Sequence, residues 1–393
     1  MTSTHKAVRH DVMRARNLAV VLGEIDRSGP LSRAALAERT GLTKTTVSKL
    51  VADLIDGGMV VETGAVRGGE RGRPGVAVQV HGGRVAALGL EIGIDYLAGC
   101  VLDLTRTVRL RRRIPADNRS APPAEVIARL GELGDALVRE AAGIGLAVVE
   151  AELAIPGPID PGSSIVYYAP NLGWRDVALA ELLQVPVPVR VDNEANLAAL
   201  GELWFGAGAA IGDFLHISGE IGIGAGVVVG GRLFRGAHGF AGELGHVVVV
   251  PDGDECRCGG RGCLERYAGQ DVLLGDAPDL AALMARLTAG DPAATATCRS
   301  AGEALGIALT SAVHLLDPDT IVLGGVFGEL FPWLSGPVAE TMASRLRRFR
   351  GAVPELIASK VGPDAAILGA AGSVIMRIIA DPAAFLASAA QPA

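Results

Sequence analysis

Aromatic side chains are scarce in this chain of 393 residues, with 3 Trp, 4 Tyr and 8 Phe. Lysine is scarcer still: only Lys6, Lys44, Lys49 and Lys360 stand among the 36 basic residues, a bias toward arginine that says nothing about function. No apolar run reaches the ~20 residues that cross a bilayer, because charges recur early and often, so no membrane partner is expected. Met1 to His10 contain no apolar leader core, which makes the cytoplasm the expected compartment. Thiols stay reduced there, which argues against disulfides among the five cysteines.

The length allows two or three domains and a substantial core. The net charge of −7 is unevenly spread. Residues 1–80 balance at +4, and the remainder at −11. A basic head on an acidic body predicts that only the head meets a polyanion.

Three of the five cysteines, Cys256, Cys258 and Cys263, fall within eight residues, with His246 upstream. Four such ligands at that density suit a tetrahedral Zn2+ site. Protein would fill all four positions and leave none for an activated water, so the metal reads as structural. Gly259, Gly260 and Gly262 suit a loop curling around an ion. The competing reading, a disulfide, would require a strained Cys-x-Cys loop.

The run G-H-x9-C-x-C-G-x-x-G-C-x-E, from Gly245 to Glu265, resembles the signature of the ROK family (repressors, open reading frames and kinases), and every fixed position is present. Gly239-Phe240-Ala241-Gly242-Glu243-Leu244-Gly245-His246 resembles that family's sugar-site motif, and the likeness extends over about residues 84–380. The resemblance implies an α/β body of two actin-like (ribonuclease H-like) lobes around a cleft. It also implies sugar contacts from Asn171, Asn193, Glu194, Glu243, His246 and Glu265. The metal loop, with ligands His246, Cys256, Cys258 and Cys263, would then fix two of the sugar-binding acids, since His246 follows Glu243 by three residues and Glu265 follows Cys263 by two.

The head reads as an α+β winged helix-turn-helix. Residues 12–27 carry apolar side chains at helical spacing, Ser32 is placed to cap a second helix, and Thr43 a third running to about Asp56. Opposite the apolar stripe of that third helix stand Lys44, Thr45, Thr46, Ser48 and Lys49, which with Thr43 suit base edges and phosphates. Two strands around Gly68–Gly75 make a wing in which Arg67, Arg71 and Arg73 can reach a minor groove. A protein-docking module of the same shape is the alternative. Such a head resembles ROK repressors, whereas the family's plain kinases lack it.

Alternating strands and helices from Arg84 onward argue for layered α/β architecture. The kinase machinery is altered. The first phosphate loop reads Glu91-Ile92-Gly93-Ile94-Asp95-Tyr96 where the family has D-x-G-x-T. The second, Gly219 to Gly226, lacks its Thr and gains Glu220. Glu194 stands where the catalytic Asp belongs, one methylene longer. ATP is therefore not expected as a cofactor, and the chain reads as a degenerate kinase rather than an enzyme. His216 and His314 are expected in the core or partly buried. Cys100 and Cys298 read as inert small hydrophobes, and Arg109 to Arg113 as a solvated strand edge.

The expectation is a DNA-binding head over residues 1–80 and a kinase-like effector domain over 81–393, with the zinc loop at 246–263. Together they make a sugar-responsive regulator of carbohydrate genes, in the sense of a repressor. A homodimer, or a dimer of dimers, would bind a palindromic operator. The rivals are a working sugar kinase with a DNA-binding head, and a regulator controlled by a protein partner.

Overall fold

The structure, a computed structural model, describes residues 10–66, 75–160, 164–219 and 222–389. In the head, α1 (His10–Ser28) packs on α2 (Arg33–Thr40) and α3 (Lys44–Asp56). Ser32 Oγ accepts from Ala35 N at 3.2 Å, and Thr43 Oγ1 from Thr46 N at 3.2 Å, so both expected caps form. Between the two helices Gly41 takes φ 70°, a left-handed turn that sets their angle. Val47, Leu50, Val51 and Leu54 bury one face of α3. The strands β1 (Leu31–Ser32), β2 (Val60–Val66) and β3 (Gly75–Val80) form a sheet ordered β1-β3-β2. Arg67, Arg71 and Arg73 of the wing lie outside the described residues.

The body contains one strand plan twice. The first lobe holds β4 (Val85–Ile92), β5 (Tyr96–Asp103), β6 (Val108–Pro115), α4 (Pro123–Gly143) and β7 (Ala147–Ile155). The hairpin strands β8 (Ile159–Asp160), β9 (Ile165–Ala169) and β10 (Trp174–Ala178) follow, then α5 (Leu179–Leu182), β11 (Val189–Asn193) and α6 (Glu194–Phe205). The second holds β12 (Phe214–Gly219), β13 (Ile223–Val229), β14 (Arg232–Leu233), α7 (Glu265–Ala268), α8 (Gln270–Leu274), α9 (Leu280–Thr288) and α10 (Pro292–Leu316). It continues through β15 (Thr320–Leu323), α11 (Gly325–Glu329), α12 (Phe331–Arg350), β16 (Glu355–Ala358), α13 (Ala365–Ala380) and α14 (Pro382–Ala389).

The sheets run β11-β7-β4-β5-β6 and β14-β13-β12-β15-β16. In each, an antiparallel trio is extended by two strands parallel to its first member. This is the expected two-lobed actin-like fold.

The helices that close the two repeats, α6 and α13, cross between the lobes, and two glycines let their backbones touch. A Cβ on Gly201 would run into the Ala365 carbonyl oxygen, and one on Gly369 into that of Leu197. Because backbone cannot yield as a flexible side chain does, Gly369→Ala is expected to cost about 3 kcal/mol of stability, read from denaturant unfolding.

Two expectations change. The stretch Gly362–Ala380, 19 residues with mean hydropathy 1.4, is long and apolar enough to cross a bilayer. It is the core helix α13, surrounded by α6, β4 and β7, so its apolar faces answer to protein. His314 is exposed near the end of α10 rather than buried, whereas His216 is fully enclosed. Arg109, Arg111, Arg112 and Arg113 lie on the edge strand β6 as expected. They are exposed there, as a solvated edge requires, and pair with Asp103, Asp364 and Glu140 and, for Arg113, with the ring of Tyr96.

The head is not a separate bead. Leu18, Leu22 and Leu50 share one continuous apolar core with Val85 of β4 and Val374 and Ile378 of α13. Arg106, in the β5–β6 turn, forks onto Asp26 of α1 with bonds of 2.9 and 2.7 Å.

Candidate functional site

The long loop between β14 and α7 is pinned at its base, where Val248 pairs with Cys263 and Glu255 with Arg261 in isolated antiparallel bridges. Gly262, at φ 73°, leaves no room for a Cβ beside the Val250 backbone. That folding gathers the ligand atoms of His246, Cys256, Cys258 and Cys263 within 4.8 Å of one another. Cys256 Sγ lies 3.9 Å from His246 Nδ1, and Cys258 Sγ 3.7 Å from Cys263 Sγ. Edges of about 3.8 Å are those of a tetrahedron with metal–sulfur bonds of ~2.3 Å. Burial and the neighbouring sulfurs push the Cys263 thiol up to about 12, a strain that a dication would relieve. The four residues form a cluster that can hold a metal.

All six residues read as sugar contacts, Asn171, Asn193, Glu194, Glu243, His246 and Glu265, line a single cavity of about 310 Å³. His246 serves both centres. Its Nδ1 edge faces the cysteines, and its Nε2 lies 3.9 Å from Glu243 Oε2 on the cavity side. Burial raises the Glu243 pKa, and Glu265 adds to that rise while His246 opposes it. Glu265, at the start of α7, accepts from Ile223 N at 3.2 Å, which aims its carboxylate across the cavity floor. Asn193 caps α6, accepting from Ala195 N and Asn196 N, and donates to the Gly157 carbonyl. One amide hydrogen is left to face a ligand. Acids and amides together pair hydroxyls both as donors and as acceptors, the requirement of a polyol.

Contacts that the sequence did not signal complete the site. Ser218 of β12 donates to Glu194 Oε1 at 2.5 Å, joining the two lobes through the residue at the catalytic-base position. Burial raises the Glu194 pKa, and the Ser218 hydroxyl partly offsets it. Arg257, between two of the cluster cysteines, donates to Asn171 Oδ1 at 3.2 Å, while Tyr168 donates to the Arg257 carbonyl at 3.2 Å. The metal loop of one lobe thus clasps the β9–β10 hairpin of the other. With its oxygen held by Arg257, Asn171 keeps its NH2 beside Glu265, where a Cβ on Gly222 would meet both at 2.7 and 2.8 Å.

The stretch read as the first phosphate loop is crowded by an aromatic ring. The Tyr96 ring, buried and stacked by Arg113 at 3.4 Å, packs against Gly93 where a phosphate loop needs open backbone. Its hydroxyl donates to Glu91 Oε1 at 2.5 Å, engaging the carboxylate at the loop's first position. Glu220 of the second loop lies outside the described residues.

On the head, Thr43, Lys44, Thr45, Ser48 and Lys49 are exposed on one side of α3, and Thr46 is half-buried. The Thr43 hydroxyl is engaged with Thr46, so it fixes the helix start rather than standing free for a base.

The chain resembles known proteins along nearly its whole length. The sequence model of the ROK family matches residues 87–376, and that of the MarR family matches residues 19–72. A xylose repressor of Bacillus spizizenii is 32% identical over 377 residues, covering 92% of this chain and 96% of the relative. A ROK family transcriptional regulator, a homologue of the E. coli MLC protein, superposes with TM-score 0.80 at 26% identity, covering 96% of this chain and 98% of its own. A ROK hexokinase from Thermus thermophilus superposes with TM-score 0.63 at 31% identity, covering 75% of this chain and 99% of its own. With the two lobes and the cysteine loop matched over 87–376, this chain belongs to the ROK family.

Proposed function

We propose that this chain is a sugar-responsive, DNA-binding transcription regulator, acting as a repressor of carbohydrate genes, and that its body is a sugar sensor derived from a kinase. The observation that carries the reading is a contrast within one cleft. Six polar residues line a cavity of about 310 Å³, while the Tyr96 ring packs on Gly93 in the loop read as phosphate-binding. The likeness to a xylose repressor supports it and makes a pentose the first ligand to test. Glu194 retains a carboxylate and the lobes match a hexokinase, which keeps phosphorylation as the rival; the buried Glu91–Tyr96 pair and the bond from Ser218 that occupies Glu194 weigh against it.

In this reading residues 1–80 form the DNA-binding unit, with Lys44, Thr45, Thr46, Ser48 and Lys49 on the groove side of α3 and Arg67, Arg71 and Arg73 on the wing. Two copies face a palindromic operator in the cytoplasm. The cluster holds a structural Zn2+, and the Cys3His donor set with its tetrahedral spacing supports that metal. The ion polarises no ligand; His246, Cys256, Cys258 and Cys263 hold the loop that places Glu243 and Glu265.

Sugar shifts operator affinity only by its differential affinity for two lobe arrangements. The physical link runs from Asn193 and Glu194 through α6 to α13, and from α13 through the shared core to α1.

Fluorescence anisotropy on an operator selected from a random duplex pool tests the reading. Added xylose or glucose should weaken DNA binding at least fivefold, and Mg-ATP should neither alter it nor be consumed. Lys44→Ala combined with Lys49→Ala should lower the slope of log affinity against log salt by about 4 for the two heads of a dimer, roughly one unit for each lost phosphate contact. A sugar that binds without changing operator affinity would sink the sensor, and turnover of ATP would establish the kinase.

A further inference from the structure

Beside the sugar cavity lies a second one of about 640 Å³, lined by Tyr167, Arg235, Gly236, Ala237, His238, Gly239 and Phe240. Gly239 and Phe240 line both, so the two adjoin. Aromatics are rare in this chain, yet of the three large aromatic side chains most exposed among the described residues, Tyr167 at 41% and Phe240 at 50% line this cavity, and Phe234 at 49% directly precedes its Arg235. The loop is a closed turn, tied at its ends by Ala241 N donating to the Arg235 carbonyl at 3.2 Å. Arg235 is anchored on Asp192 Oδ2 through Nε at 3.2 Å and Nη2 at 2.5 Å. Asp192 also accepts from Asn193 N and Asn196 Nδ2, so the strand end that carries the sugar site braces the arginine.

We propose that this vestibule is a second sugar subsite, and that the natural effector is a neutral glycoside of two or more rings. The inference rests on the sugar-binding reading above. The first ring sits among the acids, and the second stacks on Tyr167 and Phe240. A pyranose has an apolar C–H face for an aromatic ring and a hydroxyl rim for donors. Arg235 retains N–H groups beyond the two that Asp192 takes, and His238 adds a ring nitrogen. Asp192 neutralises the one cation of the wall, so no net positive charge is left to select a phosphosugar. A protein docking on the same aromatics is the other occupant, and it would not discriminate one ring from two.

Calorimetric titration of the full, zinc-loaded chain with xylose, glucose, xylobiose, cellobiose and maltose tests this. At least one disaccharide should bind about tenfold tighter than its monosaccharide, the ratio one aromatic contact supplies. Tyr167→Ala, which lies outside the acid pocket, should remove most of that ratio and leave the monosaccharide affinity unchanged. Equal affinities for one and two rings, or a Tyr167→Ala loss equal for both, would overturn the second subsite and leave the sugar pocket standing. No binding of any of the five sugars would overturn the sugar-pocket reading itself, and the subsite with it.

Discussion

Cys263→Ser is expected to abolish metal retention and lower sugar affinity at least a hundredfold. The serine hydroxyl offers no thiolate, and Cys263 is the ligand that also pairs with Val248 at the base of the loop. It is buried and two residues from Glu265, so a displaced sulfur drags a sugar-binding acid with it. Structural zinc sites supply on the order of 10 kcal/mol to folding in small peptides. Here the body has cores independent of the loop, so the loss should fall on the site rather than on the fold. The measurements are zinc content by elemental analysis, circular dichroism and calorimetric titration. A variant that keeps its secondary structure, loses zinc and still binds sugar normally would refute the mechanical role of the metal. Chelation of the unaltered chain should reproduce the variant.

Glu243→Ala should weaken sugar binding by about two orders of magnitude and leave a repressor that sugar no longer releases. Two hydrogen bonds to a carboxylate at about 1.5 kcal/mol each account for that size. The carboxylate lies at the meeting of burial, His246 and Glu265, so its removal also leaves His246 Nε2 without its neighbour across the cavity. Operator affinity without sugar should stay unchanged, because Glu243 is remote in the fold from α3. Unchanged sugar affinity would remove Glu243 from the site, and a parallel loss of DNA binding would mean the variant damages the fold.

The parts legible from the sequence are those fixed by local chemistry. Ser32 and Thr43 announce their helices because a cap needs only its own next three residues. The cysteine spacing announces a candidate metal cluster because one loop carries all four residues, three of them within eight positions. The strands β4 and β7 read clearly as apolar runs. Tyr96 reaching Glu91, Ser218 reaching Glu194 and Arg257 reaching Asn171 depend on pairs 5, 24 and 86 residues apart, set by how strands and lobes meet. The sequence carries a hint of the last, since anything between two metal-binding cysteines has its position fixed. Length with hydropathy alone would also admit α13 as a membrane span, because protein interior and lipid are both apolar solvents; its packing against α6, β4 and β7 makes it a core helix.

The helix crossing has one more property. Gly201 lies four residues after Leu197, and Gly369 four after Ala365, and each glycine touches the other helix at that earlier residue. The contact is a near-symmetric pair, set where the two repeats of the fold meet. Any lobe motion that preserves it is a rotation about the crossing, as scissors turn on a rivet, and not a slide. For blades of fixed length, the displacement at each tip is the rotation multiplied by its distance from the rivet. The head, packed on α13 through α1, is one of those tips.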